Sequence, residues 1–214
     1  MEYQKNIPAV MRILKHAASS TTAMADVAEA ENPFHVLVSC IISLRTRDAV
    51  TAAASKRLFS LANTPQQLMQ LRTAQIAKAI YPAGFYRVKA TRIKEIARRI
   101  VTEFNGRVPA DFDTLMTFKG VGRKTANIVM VYGFQKEGLP IDTHCHRIPN
   151  RLGWVATKTP DETEAVLRRI LPKRYWSDFN ELFVQFGQTT CTPLRPTCGA
   201  CPVQRYCKYG STKK

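Results

Sequence analysis

Acidic side chains are scarce in this sequence: 16 Asp and Glu stand against 32 Lys and Arg in 214 residues, a formal charge of +16 with an isoelectric point of about 9.9. Such an imbalance disfavours basic partners and favours phosphate-rich ones, nucleic acid first. Charge alone is also compatible with ribosome-like or membrane-surface binding, or with a solvated basic surface. Long apolar runs are missing. No stretch approaches the roughly 20 residues of a membrane span, and the N-terminus has no short apolar core followed by a small-residue cleavage site. The expectation is a protein kept in the cell, cytoplasmic and nucleoid-associated if prokaryotic, with no membrane. Low-complexity segments are lacking apart from the polar tail 210–214, as are fixed-period repeats and the strict alternation of half-buried strands.

Helical signals fill the space that those absences leave. Ile7, Val10, Met11 and Leu14 recur at i, i+3, i+4, i+7, so the first residues belong to a folded amphipathic helix. Asn32-Pro33 reads as a cap with proline at the first helical position, opening the apolar run Phe34 to Leu44. Thr64-Pro65 repeats the device, and Thr159-Pro160-Asp161-Glu162 adds a capping box. Ile93, Ile96, Ala97, Ile100, Val101 and Phe104 hold helical spacing until Asn105-Gly106 ends the element. Phe179, Leu182, Phe183 and Phe186 do the same further on. The expected class is all-α, with about ten helices.

Four cysteines crowd the C-terminal stretch: Cys191, Cys198, Cys201 and Cys207, separated by six, two and five residues. In a chain without a secretion signal, thiols so close in sequence predict a metal centre and not disulfides. Tetrathiolate zinc and an iron–sulfur cluster both use four cysteines. The open first gap is unlike the paired spacing of a zinc ribbon and favours the cluster. Cys40 and Cys145 stand apart and read as buried thiols acting as small hydrophobes.

The stretch FKGVGRKTANIVM, Phe118 to Met130, carries the densest charge beside the tightest backbone. A helix of about seven residues from near Asp111 should turn through Lys119-Gly120-Val121-Gly122 into a second helix starting at Arg123. Glycine there lets the backbone approach a ligand, and such a hairpin aims its amides at a phosphate, with Lys119, Arg123 and Lys124 adding charge. Contacts of that kind fix register without reading sequence. Lys124 has two readings. It can hold phosphate as a point charge, or it can be a nucleophile, a role in which a lysine amine needs help from burial, neighbouring cations or a helix N-terminus. Asp142, in IDTHCHRIPNRLG, also has two: a helix cap or a catalytic carboxylate. His144 and His146 flank a cysteine without further ligands nearby, so hydrogen bonding at the helix start is the better reading of both than metal binding.

Taken together, FKGVGRKTANIVM, IDTHCHRIPNRLG and the four-cysteine tail resemble endonuclease III, a DNA glycosylase and abasic-site lyase of the helix-hairpin-helix family. The likeness runs from NPFHVLVSCIISLRTRD through GFYRVKA to Cys207. It implies a six-helix barrel domain over 26–136, and a second domain, 1–25 with 137–214, holding a [4Fe–4S] cluster on Cys191, Cys198, Cys201 and Cys207. It implies a monomer that takes duplex DNA with a damaged base or abasic site. Lys124 falls on the family's nucleophilic lysine and Asp142 on its catalytic aspartate. The DNA contacts implied are Lys119, Gly120, Val121, Gly122, Arg123 and Thr125 of the hairpin, Leu44, Arg45 and Phe85 at the flipped nucleotide, and His144 and Arg195. Arg45 stands where the family often has glutamine, and Lys119 where it usually has proline. The implied function is excision of oxidised pyrimidines with nicking of the abasic site. A hairpin DNA-binding protein whose Lys124 only holds phosphate, and a mismatch glycosylase, are the alternatives.

Overall fold

The computed structural model describes residues 2–18 and 32–212. The expected domain boundary between residues 25 and 26 lies outside them. The chain forms two compact units, Met1–Thr22 with Glu137–Lys214, and Ala23–Lys136. Among the described residues there are twelve α-helices, short 3₁₀ and π turns, and no strand. The short helices at Pro65, Phe112 and Arg123 start where their caps and the glycine turn predict, whereas the four-residue helix Lys208–Ser211 is too short for hydrophobic periodicity to resolve.

In the first unit the N-terminal helix α1, Ile7–Ala17, buries Ile7, Val10, Met11 and Leu14. The second unit is built around α2, Pro33–Ser43. Asn32 Oδ1 opens it by accepting from the amides of Phe34 and His35, at 3.0 and 3.3 Å. Phe34 and every residue from Val36 to Ile42 are buried, as befits a helix that is apolar all round. Around it pack α3, Asp48–Leu61, and, beyond α4, Pro65–Gln70, and α5, Thr73–Ile80, the long α6, Tyr86–Glu103. Thr64 caps α4 through the Gln67 amide. At the end of α6, Asn105 and Gly106 take positive φ, and the Gly106 amide turns back to Ile100 O at 2.9 Å. Then come α7, Phe112–Met116, and α8, Arg123–Ile128, which continues into a π turn, Val129–Gly133. A Cβ on Gly133 would lie 2.9 Å from Pro33 Cα, so only glycine lets this turn abut the start of α2.

The first unit resumes with α9, Thr143–Leu152, α10, Pro160–Ile170, α11, Trp176–Thr189, and α12, Lys208–Ser211, which takes up the start of the polar tail. Helices α9 and α1 pack on α11, whose Phe179 and Phe183 stack at 4.1 Å between ring centres with Trp154 tilted against them. The Thr159 hydroxyl accepts from the Glu162 amide as expected of a cap, but Glu162 Oε2 accepts from the Lys158 amide. The carboxylate thus serves the residue before the cap, because the extended backbone at Thr159 leaves that amide turned toward the first helical turn.

Candidate nucleic-acid interface and active site

The hairpin begins at Asp111. Its Oδ2 accepts from the Thr114 hydroxyl at 2.6 Å and the Thr114 amide at 2.8 Å. These bonds, helped by the charge of Lys136, hold the carboxyl below its ordinary range. Helix α7 lasts five residues, not the expected seven, because the chain tightens into successive i→i−3 bonds: Thr117 to Thr114, Phe118 to Leu115 and Val121 to Phe118. Phe118 and Val121 anchor the turn in the core. Arg99 of α6 clamps it from the side, donating to Thr117 O at 3.0 Å with its guanidinium over the Phe118 ring.

Gly120 takes φ +89°, and Gly122 caps α8 without a side chain. Consequently the amides of Gly120, Gly122, Lys124 and Thr125 donate to nothing among the described residues. Unsatisfied amides at a helix start, with the positive end of the helix behind them, form an anion site. Lys119 and Lys124 are exposed, and Arg123 leans over the Phe112 ring at 5.1 Å. The side chains of Val121 and Thr125 are buried, so these two present only backbone. Arg92 is a cation that the sequence reading missed. It reaches the hairpin from α6, where a Cβ on Gly120 would come within 3.3 Å of its Cδ and 3.4 Å of a terminal nitrogen. It makes no hydrogen bond or ion pair among the described residues.

Lys124 stands in the first turn of α8, exposed, and its amine has no hydrogen-bond partner or counter-charge among the described residues. Beneath it, on α2, lies Cys40. Burial pushes that thiol up to about 12 against the pull of the Lys124 charge, so Cys40 is an inert apolar neighbour and no competing nucleophile.

A family model described as HhH-GPD superfamily base excision DNA repair protein matches residues 38–173. The endonuclease III of Thermotoga maritima is 47% identical over 178 residues, 83% of this chain and 84% of that protein. The chain belongs to the endonuclease III family. Among solved structures, a non-covalent endonuclease III–DNA complex superimposes with a TM-score of 0.88 at 30% identity, covering 98% of this chain and 97% of the other. A trapped endonuclease III–DNA covalent intermediate, an estranged-adenine complex, gives a TM-score of 0.80 at 34% identity over 85% of this chain and 86% of the other.

The other residues that the endonuclease III resemblance singles out fall into three groups. Asp142 caps α9: its Oδ1 accepts from the amides of His144 and Cys145 at 2.9 and 2.8 Å, while Oδ2 has no partner among the described residues. The cap therefore fixes the carboxylate and leaves one oxygen for other work. His144 Nδ1 pairs with the Arg147 guanidinium at 3.0 Å, and His146 Nδ1 with the Thr163 hydroxyl at 2.6 Å, the hydrogen-bonding reading of both.

Cys191, Cys198, Cys201 and Cys207 all line one pocket, whose other walls include Ile148, Leu152, Phe186 and Val203. Among the described residues no three His, Cys, Asp or Glu form a ready-made ion site. Burial raises the Cys201 and Cys207 thiols, and the other cysteines of the set raise them further. Arg151 and the Gly210 amide point at the sulfurs of Cys191 and Cys207 at 3.4 and 3.3 Å, and Arg147 holds Cys191 O at 2.8 Å. An apolar, four-thiol space with N–H groups aimed at sulfur suits a cluster. Arg195 is exposed on the loop between the first two cysteines.

Leu44, Arg45 and Phe85 occupy two adjoining turns. Arg45 and Phe85 are the residues there with positive φ, 54° and 57°; both are exposed, and the guanidinium lies 5.7 Å from the ring centre. The Gly84 amide donates to the Thr46 hydroxyl at 3.1 Å, and a Cβ on Gly84 would strike Arg45 O at 2.6 Å. Buried Lys89 of α6 lies under both turns. Burial pulls its amine down to about 8.

Proposed function

We propose that this chain is a bifunctional base excision enzyme, which removes oxidised pyrimidines from duplex DNA and nicks the abasic site through a Schiff base on Lys124. One observation carries the reading. An exposed lysine amine with no partner opens the helix behind a hairpin of free amides, in a chain 34% identical to an endonuclease III caught in covalent linkage to DNA. A phosphate-holding lysine serves the binding-module reading equally well, and borohydride separates the two.

The hairpin amides, with Lys119, Arg123 and Arg92, hold the DNA backbone without reading sequence. The target nucleotide leaves the stack because its glycosidic carbon is shielded there; the cost, about a few kcal/mol, is least for a damaged base. Phe85 and Arg45 fill the gap. Unprotonated Lys124 Nζ attacks C1′, the glycosidic bond breaks and the base departs with the bonding electrons. Asp142, which falls on the family's catalytic aspartate, stabilises cationic charge on the sugar and assists proton transfer. The nitrogen now joined to C1′ expels O4′, which takes up a proton as the sugar ring opens, and the resulting iminium acidifies the C2′ proton; its loss expels the 3′ phosphate, and water then releases the lysine. A hydroxyl could not form that imine.

The four cysteines would hold a [4Fe–4S] cluster, which supplies no step of this chemistry and staples the loop that presents Arg195. Cys198→Ser should therefore lower both melting temperature and DNA affinity; full retention of both would overturn the positioning role. For the enzyme itself the test is borohydride trapping on a duplex with one abasic site. Wild type should give a covalent band and Lys124→Gln none, with DNA binding kept. No band from wild type bound to the duplex refutes the lyase.

A further inference from the structure

Three acceptors converge on the Lys89 ammonium: Ile42 O at 2.7 Å, Leu44 O at 2.5 Å and the Thr46 hydroxyl oxygen at 2.9 Å. The side chain is 3% exposed, so its three N–H bonds are satisfied inside the protein and none is left for a ligand. The two carbonyls belong to the C-terminal end of α2, where a cation complements the helix dipole. The Thr46 hydroxyl also accepts from the Gly84 amide and donates toward Leu44 O at 3.4 Å. Every hydrogen-bonding capacity of that hydroxyl is thereby spent on tying one turn to the other. Left-handed backbone is unfavourable at bulky residues, and it persists only where surroundings impose it. The Lys89–Thr46–Gly84 linkage runs beneath both such residues, Arg45 and Phe85.

We propose that Lys89 is a positioning residue for strand separation, joining the Arg45 turn and the Phe85 turn into one preformed wedge that displaces the base opposite the lesion. The inference rests on the repair reading above. It assigns no DNA contact to Lys89 itself. Without the ammonium, the carbonyls of Ile42 and Leu44 lose their buried donor and the turns move independently, so Arg45 and Phe85 enter the duplex separately or not at all.

The experiment uses 2-aminopurine opposite an abasic site in a duplex, whose fluorescence rises when that base leaves the stack, read at saturating protein. Wild type should raise the signal, Lys89→Met should lose most of the rise, and Lys89→Arg, which restores donors, should regain part of it. Borohydride trapping of the same variants reports Lys124 separately: a band from Lys89→Met with little fluorescence rise is the expected pairing. No rise with wild type, or an equal rise with Lys89→Met, overturns the wedge while trapping still decides the lyase. If Lys89→Met does not fold, Thr46→Val removes the hydroxyl that joins Lys89 to Gly84 while leaving the ammonium on the Ile42 and Leu44 carbonyls, and must show a smaller loss of the same kind; an unchanged signal overturns the inference.

Discussion

Two glycines two residues apart do different work, and single substitutions separate them. Gly120 sits at φ +89° with Arg92 within 3.4 Å of where a Cβ would go, so Gly120→Ala should destabilise the protein by about 1–2 kcal/mol and weaken DNA binding as well. Gly122 has ordinary φ and open space around it. Gly122→Ala should leave the melting temperature alone and weaken DNA binding, because a methyl group would hold phosphate away from the free amides. Equal loss of stability for both would mean that closeness to a ligand is not what Gly122 provides. Asp142 invites the same kind of separation. Asparagine caps helices as well as aspartate does, so Asp142→Asn should melt with wild type while losing roughly a hundredfold or more in base excision. The candidate residues for chemistry were legible because the motifs that hold them are distinctive. What each does was not: cap and catalyst are both consistent with an aspartate before a helix, and the structure gives one oxygen of Asp142 to the first role and leaves the other free.

At the level of elements, caps and stops were the most readable features, since Asn32, Thr64, Asp111 and Thr159 each announce a helix through a side chain that accepts from its own backbone. Less readable were the pieces whose geometry is imposed from outside. The π turn after α8 exists because Gly133 meets Pro33, and Lys89 looks in sequence like another surface cation of a basic helix. Asp111 gives the hairpin a pH dependence with a definite sign. Its carboxyl is held low in the folded state by Thr114, so the cap contributes fully above the ordinary aspartate range and is lost as pH falls through the lowered value. Exchange of the Thr114 amide should therefore stay slow through mildly acidic pH and accelerate only below that range. In Asp111→Asn it should show no such step, because the asparagine cap does not titrate.

For the whole molecule the excess of 16 positive charges predicts that binding to nucleic acid weakens as salt rises, with a steepness set by the number of cations that meet phosphate. What composition cannot say is which cations meet phosphate. Many are occupied within the fold: Arg99 with Glu103, Lys173 with Glu137, Arg151 with the Thr192 and Pro193 carbonyls. Arg92 is different in kind, since its guanidinium lies against the hairpin with no partner among the described residues, on the same helix as Lys89 and three positions further along, hence on neighbouring surface. If it neutralises one phosphate, Arg92→Ala should lower the slope of log affinity against log salt by about 1. The weakening should be alike for damaged and undamaged duplex, since a phosphate contact carries no sequence information. Arg99→Ala would instead show up in melting temperature, through the lost hold on Thr117 and Phe118. A slope unchanged by Arg92→Ala, measured by titration at several salt concentrations, would return that side chain to the ordinary basic surface and leave the hairpin amides, Lys119 and Arg123 to hold the strand.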